Sequence, residues 1–478
     1  MENRPRILQV VGTSSSSGKS TIAMALCRYF SDLGFRVSPF KSVNMSLNSV
    51  SIEGGYEISR SQWLQARASR TEPEKEMNPI LLKPEGNGRS QVIVLGKSMG
   101  TMDQKSYGKF LSSEGKNVVK SSLDYLAKKF DLIVAEGAGS PAEINIFERD
   151  LANMFVSEIY GTPAVLVADI ERGGVFASIY GTVKLMQRPD LLKWIVINKM
   201  RGSADLLKSG IEDIEKLTGK KVIGVMPFTP FRLPGEDSLD YGESGSPGGR
   251  ICVIRYPQME NYSDVDPLIT SGVGFTYITS PEQYYSAGCR SLLLPGSKNV
   301  ESDMEFLLKT GLADIIRHHA SAGGKILGVC GGFQMLGNNI EDPAGIQVCG
   351  KSLTGLGLLD TSTVYGREKT VRTVLYGPYN DGANKAMRKG YEIHYGTVTT
   401  GSRPFLLTDH GPEGAVSESG NVMGTNIHGV LEHNNILSLL SGMPVKMDYE
   451  SEMEKNIDLF TKAFIESIDL DVIKRTLS

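Results

Sequence analysis

The sequence predicts an α/β protein built from two doubly wound domains. Short β-rich apolar runs alternate with longer helix-like stretches, and this alternation occurs twice, on either side of a stretch dominated by turn formers. The chain has 478 residues, and at about 150 residues per domain that is room for two or three cores. In the first half the runs fall at 7–11, 37–40, 92–95, 132–135, 164–168, 195–197 and 222–225. Residues 229–249 carry Gly, Pro, Ser and Glu with almost no apolar side chains, which reads as a linker between domains at 1–228 and 250–478. Runs resume at 251–254, 275–279, 292–294 and 326–329 and continue as a second α/β domain to about 445. The tail closes with a helix whose Ile457, Phe460, Phe464 and Ile468 form one apolar stripe, predicted to dock on the second domain.

Composition narrows the partners. Lys and Arg total 51 against 54 Asp and Glu, for a net charge of −3, and 40% of residues are hydrophobic. A chain so balanced folds, and it offers no basic field for nucleic acid or an anionic membrane. No apolar run reaches the roughly 18 residues that a membrane helix needs. The polar residues 1–6 lead straight into the first run without a signal peptide's apolar core, so a cytoplasmic location is expected. Five cysteines, Cys27, Cys252, Cys289, Cys330 and Cys349, are odd in number and widely spaced, which predicts neither a disulfide framework nor a zinc site.

Directly after the first run comes Gly12-Thr-Ser-Ser-Ser-Ser-Gly18-Lys19-Ser20-Thr21, followed by a helical stretch. Strand, loop and helix stand in the order of a phosphate loop, with Thr13 where the usual pattern has its first Gly and Gly12 one place earlier. Gly18 allows the turn that points successive N–H groups at an anion, Lys19 reaches terminal phosphates, and Ser20 can hold Mg²⁺. Further oxygen ligands come from carboxylates at strand ends, and two qualify: Glu136, before Gly-Ala-Gly139, and Asp169, before Ile-Glu-Arg-Gly-Gly174. Each is also a fitting helix N-cap. Asn198 and Lys199, at the end of Trp-Ile-Val-Ile-Asn-Lys, stand where such folds often contact a nucleotide base, and Asn198 fits a plain loop position equally.

In the second half, Lys325-Ile-Leu-Gly-Val-Cys330-Gly-Gly-Phe-Gln-Met-Leu-Gly337 again reads strand, sharp turn, helix. Gly328-Val-Cys330-Gly-Gly332 is the elbow form in which small neighbours tolerate a strained nucleophile and lift it above the sheet. The following helix N-terminus favours a thiolate. The amide of Gly331 would face an oxyanion, with a second donor from the Leu294-Pro-Gly-Ser-Lys298 loop through Gly296. A thiol nucleophile needs a base, and the chain offers six histidines: His318, His319, His394, His410, His428 and His433. His428, in Gly-Thr-Asn-Ile-His-Gly429, suits a loop projected into a cleft; His394 suits a sheet or a pocket equally; His318 and His319 fit the surface of a helix beginning near Leu312.

A variant phosphate loop and a Gly-x-Cys-Gly-Gly elbow in one chain resemble the cobyric acid synthase family of cobalamin-pathway amidotransferases. The likeness extends through Lys41-Ser-Val-Asn-Met-Ser-Leu-Asn48, Glu136-Gly-Ala-Gly-Ser-Pro-Ala-Glu-Ile-Asn145, Ala168-Asp-Ile-Glu-Arg-Gly-Gly174, Ile197-Asn-Lys-Met-Arg-Gly202 and Gly390-Tyr-Glu-Ile-His394. It implies a dethiobiotin-synthetase-like P-loop domain joined to a class I, flavodoxin-like glutamine amidotransferase domain. It further implies ATP and Mg²⁺ bound through Thr13, Gly18, Lys19, Ser20, Thr21, Asn44, Glu136, Asp169 and Asn198, and a Cys330–His428 pair that takes ammonia from glutamine. The acceptor implied is a corrinoid, adenosylcobyrinic acid a,c-diamide, amidated at its b, d, e and g carboxylates. The a,c-diamide-forming relatives share both domains, but Asn44-Met-Ser-Leu-Asn48 stands where they carry an acidic substrate loop. Class I glutaminase domains usually show His-Pro-Glu, whereas this chain has His428-Gly-Val-Leu-Glu432, which leaves the residue that orients the imidazole unassigned; the resemblance to cobalamin-pathway relatives implies a Cys–His dyad without a third member.

Overall fold

A computed structural model describes residues 6–86, 88–229, 251–346, 352–379 and 387–477. The linker at 229–249 therefore falls almost wholly outside the described residues, as does Cys349. Two compact units result, and each contains a segment borrowed from the other half of the sequence.

The first unit is organised on a six-stranded parallel sheet in the order Lys221–Pro227, Leu192–Met200, Ala164–Asp169, Arg6–Gly12, Leu132–Glu136, Val37–Phe40. Its strands are buried on both faces, which is why they read as continuous apolar runs. The run at 92–95 is not among them. It belongs to Arg89–Val94, which pairs antiparallel with Ile80–Gly86 and Lys97–Asp103 in a separate four-stranded sheet.

The C-terminal helix Tyr449–Ser467 carries Ile457, Phe460 and Phe464, and Ile468 follows its last residue, but this stripe docks on the first unit, not the second. Its apolar side chains join Leu8, Ile22, Leu26, Trp194 and Ile223 in one core. Polar contacts fix the register: the buried Arg28 pairs with Glu454, and Asp469 N donates to Ile223 O at 2.7 Å. Gly224 lets the tail approach, since a Cβ there would stand 2.2 Å from Ser467 O. Burying aromatic and aliphatic side chains of this size is worth about 1.5–3 kcal/mol each.

The second unit has a six-stranded sheet in the order Phe275–Ile278, Ile251–Ile254, Ser291–Leu294, Lys325–Val329, Val422–Thr425, Ala415–Val416, parallel except for the last. Beside it lies a seven-stranded, mostly antiparallel sheet that includes the long pair Thr361–Pro378 and Arg388–Thr400 and ends on Ile427–His428. Leu47–Glu57, from the first half of the chain, clusters with this unit. Cys252 and Cys289 form a disulfide across 37 residues, contrary to the sequence expectation. The parallel pairing of Cys252 with Leu292 brings the two cysteines together.

Candidate active sites

In the first unit the chain leaves the strand Arg6–Gly12, turns, and enters the helix Lys19–Asp32 through Gly18 in a left-handed conformation, φ 95°. Gly18 has no room for a side chain: a Cβ would stand 2.0 Å from Asn198 Nδ2. Gly12 is equally confined, with Ser17 Oγ 2.3 Å from its would-be Cβ, so the glycine one place early meets a steric need of the loop. Thr13 is pinned by its N–H to Val167 O at 3.0 Å. Thr21 Oγ1 donates to Gly18 O at 3.0 Å, which braces the first helical turn. Lys19 Nζ donates to Ser14 O at 2.8 Å and Gly139 O at 3.1 Å, so its ammonium joins the loop to the turn after Glu136.

Glu136 is the centre of a buried polar cluster. Its Oε1 accepts from Ser20 Oγ and from Lys41 Nζ, each at 2.7 Å, and its Oε2 accepts from Gln65 Nε2 at 2.6 Å. The Lys41–Glu136 pair is almost fully withdrawn from water, with side-chain exposures of 3% and 0%. Breaking one partner of such a pair strands a buried charge, which makes both residues hard to replace. Lys41 and Gln65 were not singled out as site residues in the sequence, although Lys41 follows a strand end, where α/β crevices bind ligands.

Three other sequence candidates have different neighbours. Asp169 accepts from Glu171 N at 2.7 Å and pairs with Lys199 at 3.0 Å; it is not a helix N-cap, since the helix that follows, Val175–Leu185, is entered through Gly174. Asn198 donates to Ser17 O at 3.0 Å and so buttresses the loop. Asn44 donates to Ser59 Oγ at 2.7 Å and Gln62 Oε1 at 3.0 Å, tying its strand to the start of the helix Arg60–Ala68.

In the second unit Cys330 ends the strand Lys325–Val329 and precedes the helix Gly331–Leu336 with φ 51°, ψ −112°. A non-glycine residue with that backbone is strained by about 1–3 kcal/mol, the conformation expected of a nucleophile elbow. Close packing explains the flanking glycines: a Cβ on Gly332 would stand 2.1 Å from Leu294 O, and one on Gly331 would stand 2.7 Å from Ser297 N. The elbow thus abuts the loop that holds Gly296, whose own would-be Cβ lies 3.2 Å from His428 Cε1.

Of the described histidines, His428 is the one gathered to the thiol. Its Nδ1 lies 2.7 Å from Asp264 Oδ2, whose other oxygen accepts from Gly429 N at 2.8 Å. A carboxylate only accepts, so Nδ1 carries the proton and Nε2 is the basic nitrogen. Burial alone would push the imidazole down; the charge and hydrogen bond of Asp264, joined by the bond to Cys330, outweigh it and raise it to about 10. Tyr391 stacks on the ring, with centroids 5.1 Å apart and 17° between planes. His394 also lines the cavity beside Cys330, but its ring is bonded to the main chain and not to the thiol. His394 Nδ1 lies 3.1 Å from Gly396 O, His433 caps the helix Asn434–Ser441, and His319 is buried against Tyr284, not on a helix surface.

Asp264 supplies the orienting carboxylate that the sequence left unassigned. It lies 164 residues from His428, in Tyr262–Val265 after the strand Ile251–Ile254. The only sequence signal for it is its place in the polar stretch at that strand's C-terminal end. Beside Cys330 is a cavity of about 20 Å³ lined by Glu260, Lys298, Gln334, Tyr365 and Lys369 among others. That is space for about one water, so a larger solute enters only as these side chains move.

Comparison with known proteins matches each half of the chain to a domain family. The CobQ/CobB/MinD/ParA nucleotide binding domain family matches residues 8–238, and the CobB/CobQ-like glutamine amidotransferase domain family matches residues 250–436. A probable cobyric acid synthase of Picrophilus torridus is 52% identical over 98% of this chain and 98% of its own. One of Thermoplasma acidophilum is 52% identical over 97% and 98%. The cobyric acid synthase of Limosilactobacillus reuteri (strain DSM 20016) is 40% identical over 98% and 97%. With a nucleotide-binding domain and a glutaminase domain matched in order and relatives of this identity along nearly its whole length, the chain belongs to the cobyric acid synthase family of glutamine amidotransferases.

Proposed function

We propose that this protein uses ATP and glutamine to convert the b, d, e and g carboxylates of adenosylcobyrinic acid a,c-diamide to amides in the cytosol, giving adenosylcobyric acid. The observation that carries the reading is a strained Cys330 served by an Asp264–His428 pair, in the same chain as a lysine-bearing phosphate loop. A carboxylate resists nucleophiles because of its charge. Transfer of the ATP γ-phosphoryl group to one of its oxygens releases ADP and leaves an acyl phosphate; ammonia then displaces phosphate from the carbonyl carbon. Lys19 and the loop amides steady the charge on the transferring group. The Ser20 hydroxyl and Glu136 carboxylate, 2.7 Å apart, are the hard oxygen donors that suit Mg²⁺, which when bound neutralises phosphate charge.

Ammonia comes from the thiol site. Cys330 attacks the glutamine side-chain amide carbon while the Gly331 and Gly296 amides receive the oxyanion. His428 Nε2 takes the thiol proton and returns it to the departing nitrogen, and water then cleaves the thioester to glutamate. Lys298 and Lys369 lie in the pocket with Glu260, a charge set suited to the α-carboxylate and α-ammonium of an amino acid. Joining both chemistries in one chain raises the effective concentration of ammonia at the acceptor.

Incubation with cobyrinic acid a,c-diamide, glutamine, ATP and Mg²⁺, followed by mass spectrometry, should give four successive OH-to-NH₂ replacements. An unchanged corrinoid alongside turnover of another acid would refute the proposal.

Asp264→Asn tests the orienting role. The amide keeps the shape but loses the charge that holds the imidazole up, so glutamine hydrolysis should fall about 10²-fold. The alkaline limb of its pH–rate profile should also move to lower pH, because less of the imidazole stays protonated there. A limb that stays in place would leave Asp264 without an electrostatic role.

A further inference from the structure

Asn261 stands on the opposite nitrogen of the catalytic imidazole. Its Nδ2 lies 3.2 Å from His428 Nε2, while its Oδ1 accepts from Ser49 N at 3.0 Å and its own N–H donates to Leu47 O at 3.1 Å. Asn261 is buried and adopts a left-handed backbone, φ 52°, a conformation few residues other than Gly, Asn and Asp take without strain. Ser263 Oγ adds a bond to Asn48 Oδ1 at 2.9 Å. Three consecutive residues, Leu47 to Ser49, thus hold the turn that faces the base. The same segment reaches the pocket wall, where Glu57, held by Ser49 Oγ at 2.8 Å, pairs with Lys369 at 2.7 Å.

The Ser49 N–H fixes which way the amide points. An N–H donor requires the amide oxygen, so the NH₂ group is turned to His428 Nε2. An NH₂ group donates to a neutral imidazole and opposes a protonated one. Asp264 on Nδ1 works in the other direction by favouring the imidazolium. The base therefore sits between two opposed influences, and one of them is set by a segment from the other half of the chain.

We propose that Asn261 is a positioning residue for His428, and that the main chain of Leu47 and Ser49 sets the face its amide presents to the imidazole. This deepens the glutaminase reading and rests on Cys330 and His428 acting as a pair. With the NH₂ group toward Nε2, the neutral imidazole that takes the thiol proton is favoured, against the pull of Asp264 on Nδ1. With the oxygen toward Nε2, the imidazolium–thiolate state is held instead. Leu47–Glu57 is covalently continuous with the phosphate-binding unit at both ends, so displacement of those ends is a route by which the first site can alter the readiness of the second.

The test reads the Cys330 thiolate directly in the full chain, without corrinoid or ATP, so its failure is separate from failure of the proposed overall reaction. The rate of iodoacetamide labelling is followed against pH by peptide fragmentation that localises the label to Cys330, because Cys349 lies in the same stretch between Lys325 and Lys351. Cys27 does not compete, because burial pushes its thiol up to about 12. The other groups facing the imidazole are Asp264, Tyr391, and His394 with Glu392 on the adjoining strand, and all stay unchanged in the Asn261 variants.

Asn261→Ala removes a bond to the neutral ring. The acid limb of labelling should move down by about half to one pH unit, the equivalent of one ordinary hydrogen bond. Asn261→Asp keeps the Ser49 bond and puts an anion beside Nε2, so the limb should move further down; it serves as the readout if the alanine variant does not fold. Asp264→Asn should move the limb up. Limbs that do not move in the Asn261 variants, or that shift in the same direction as in Asp264→Asn, overturn the proposal, since a merely structural role predicts no opposition of sign.

Discussion

Cys330→Ala abolishes glutamine-dependent amidation, by at least about 10⁴-fold, while amidation from a high concentration of ammonia continues at close to the wild-type rate. The loss is large because the sulfur is the atom that bonds to the substrate. His428, Asp264 and the elbow amides act through that atom, so they contribute little once it is gone. The fold is expected to survive. Cys330 is buried at 7% exposure, but its side chain is small, and alanine keeps the same strained backbone, φ 51°, that the close approach of Gly331 and Gly332 to the 294–297 loop dictates. The measurement is amide formation with glutamine and with ammonium salt at one pH, alongside thermal unfolding. Loss with both nitrogen sources in a folded variant would show that the thiol is needed for more than ammonia release, and the division of labour between the two sites would be wrong.

The elbow could be read from sequence because everything that makes it is local. A strand end, a nucleophile and three glycines lie within Gly328 to Gly332, the spacing of a nucleophile elbow. The phosphate loop was legible for the same reason, and even its irregular first glycine has a local cause in the close approach of Ser17 and Lys19 to Gly12. The partners of these loops were not legible, because partnership is a property of sheet order. Asp264 and Asn261 meet His428 across 164 and 167 residues, brought there by a strand, Ile251–Ile254, and an antiparallel sheet edge that share no sequence pattern. The tail shows the same limit. Its amphipathic stripe announces that it docks, but the stripe is compatible with any apolar surface; polar contacts such as the Arg28–Glu454 pair and the Asp469–Ile223 main-chain bond, with the gap at Gly224, match it to the first unit. Cys252 and Cys289 stand close because the strand that holds Cys252 pairs in parallel with Ser291–Leu294, which begins just after Cys289.

Lys19→Met is expected to give the mirror image of the thiol variant: amidation falls about 10³-fold with glutamine and with ammonia alike, while glutamine hydrolysis persists. Methionine fills the space of the lysine stem, which is only 5% exposed, so packing is conserved and the charge is what disappears. That charge has two tasks. In this structure it ties Ser14 O and Gly139 O together, and when nucleotide arrives it compensates the negative charge spread over the transferring phosphoryl oxygens. Loss of the first task alone would weaken nucleotide binding and be overcome by more ATP. Loss of the second lowers the maximal rate and is not. Rates measured against ATP concentration separate the two, and the expected result is a kcat that stays low at saturating ATP. A normal kcat with a raised KM would confine Lys19 to holding the loop and move the charge compensation to other groups, with the Lys41–Glu136 pair the next to be tested.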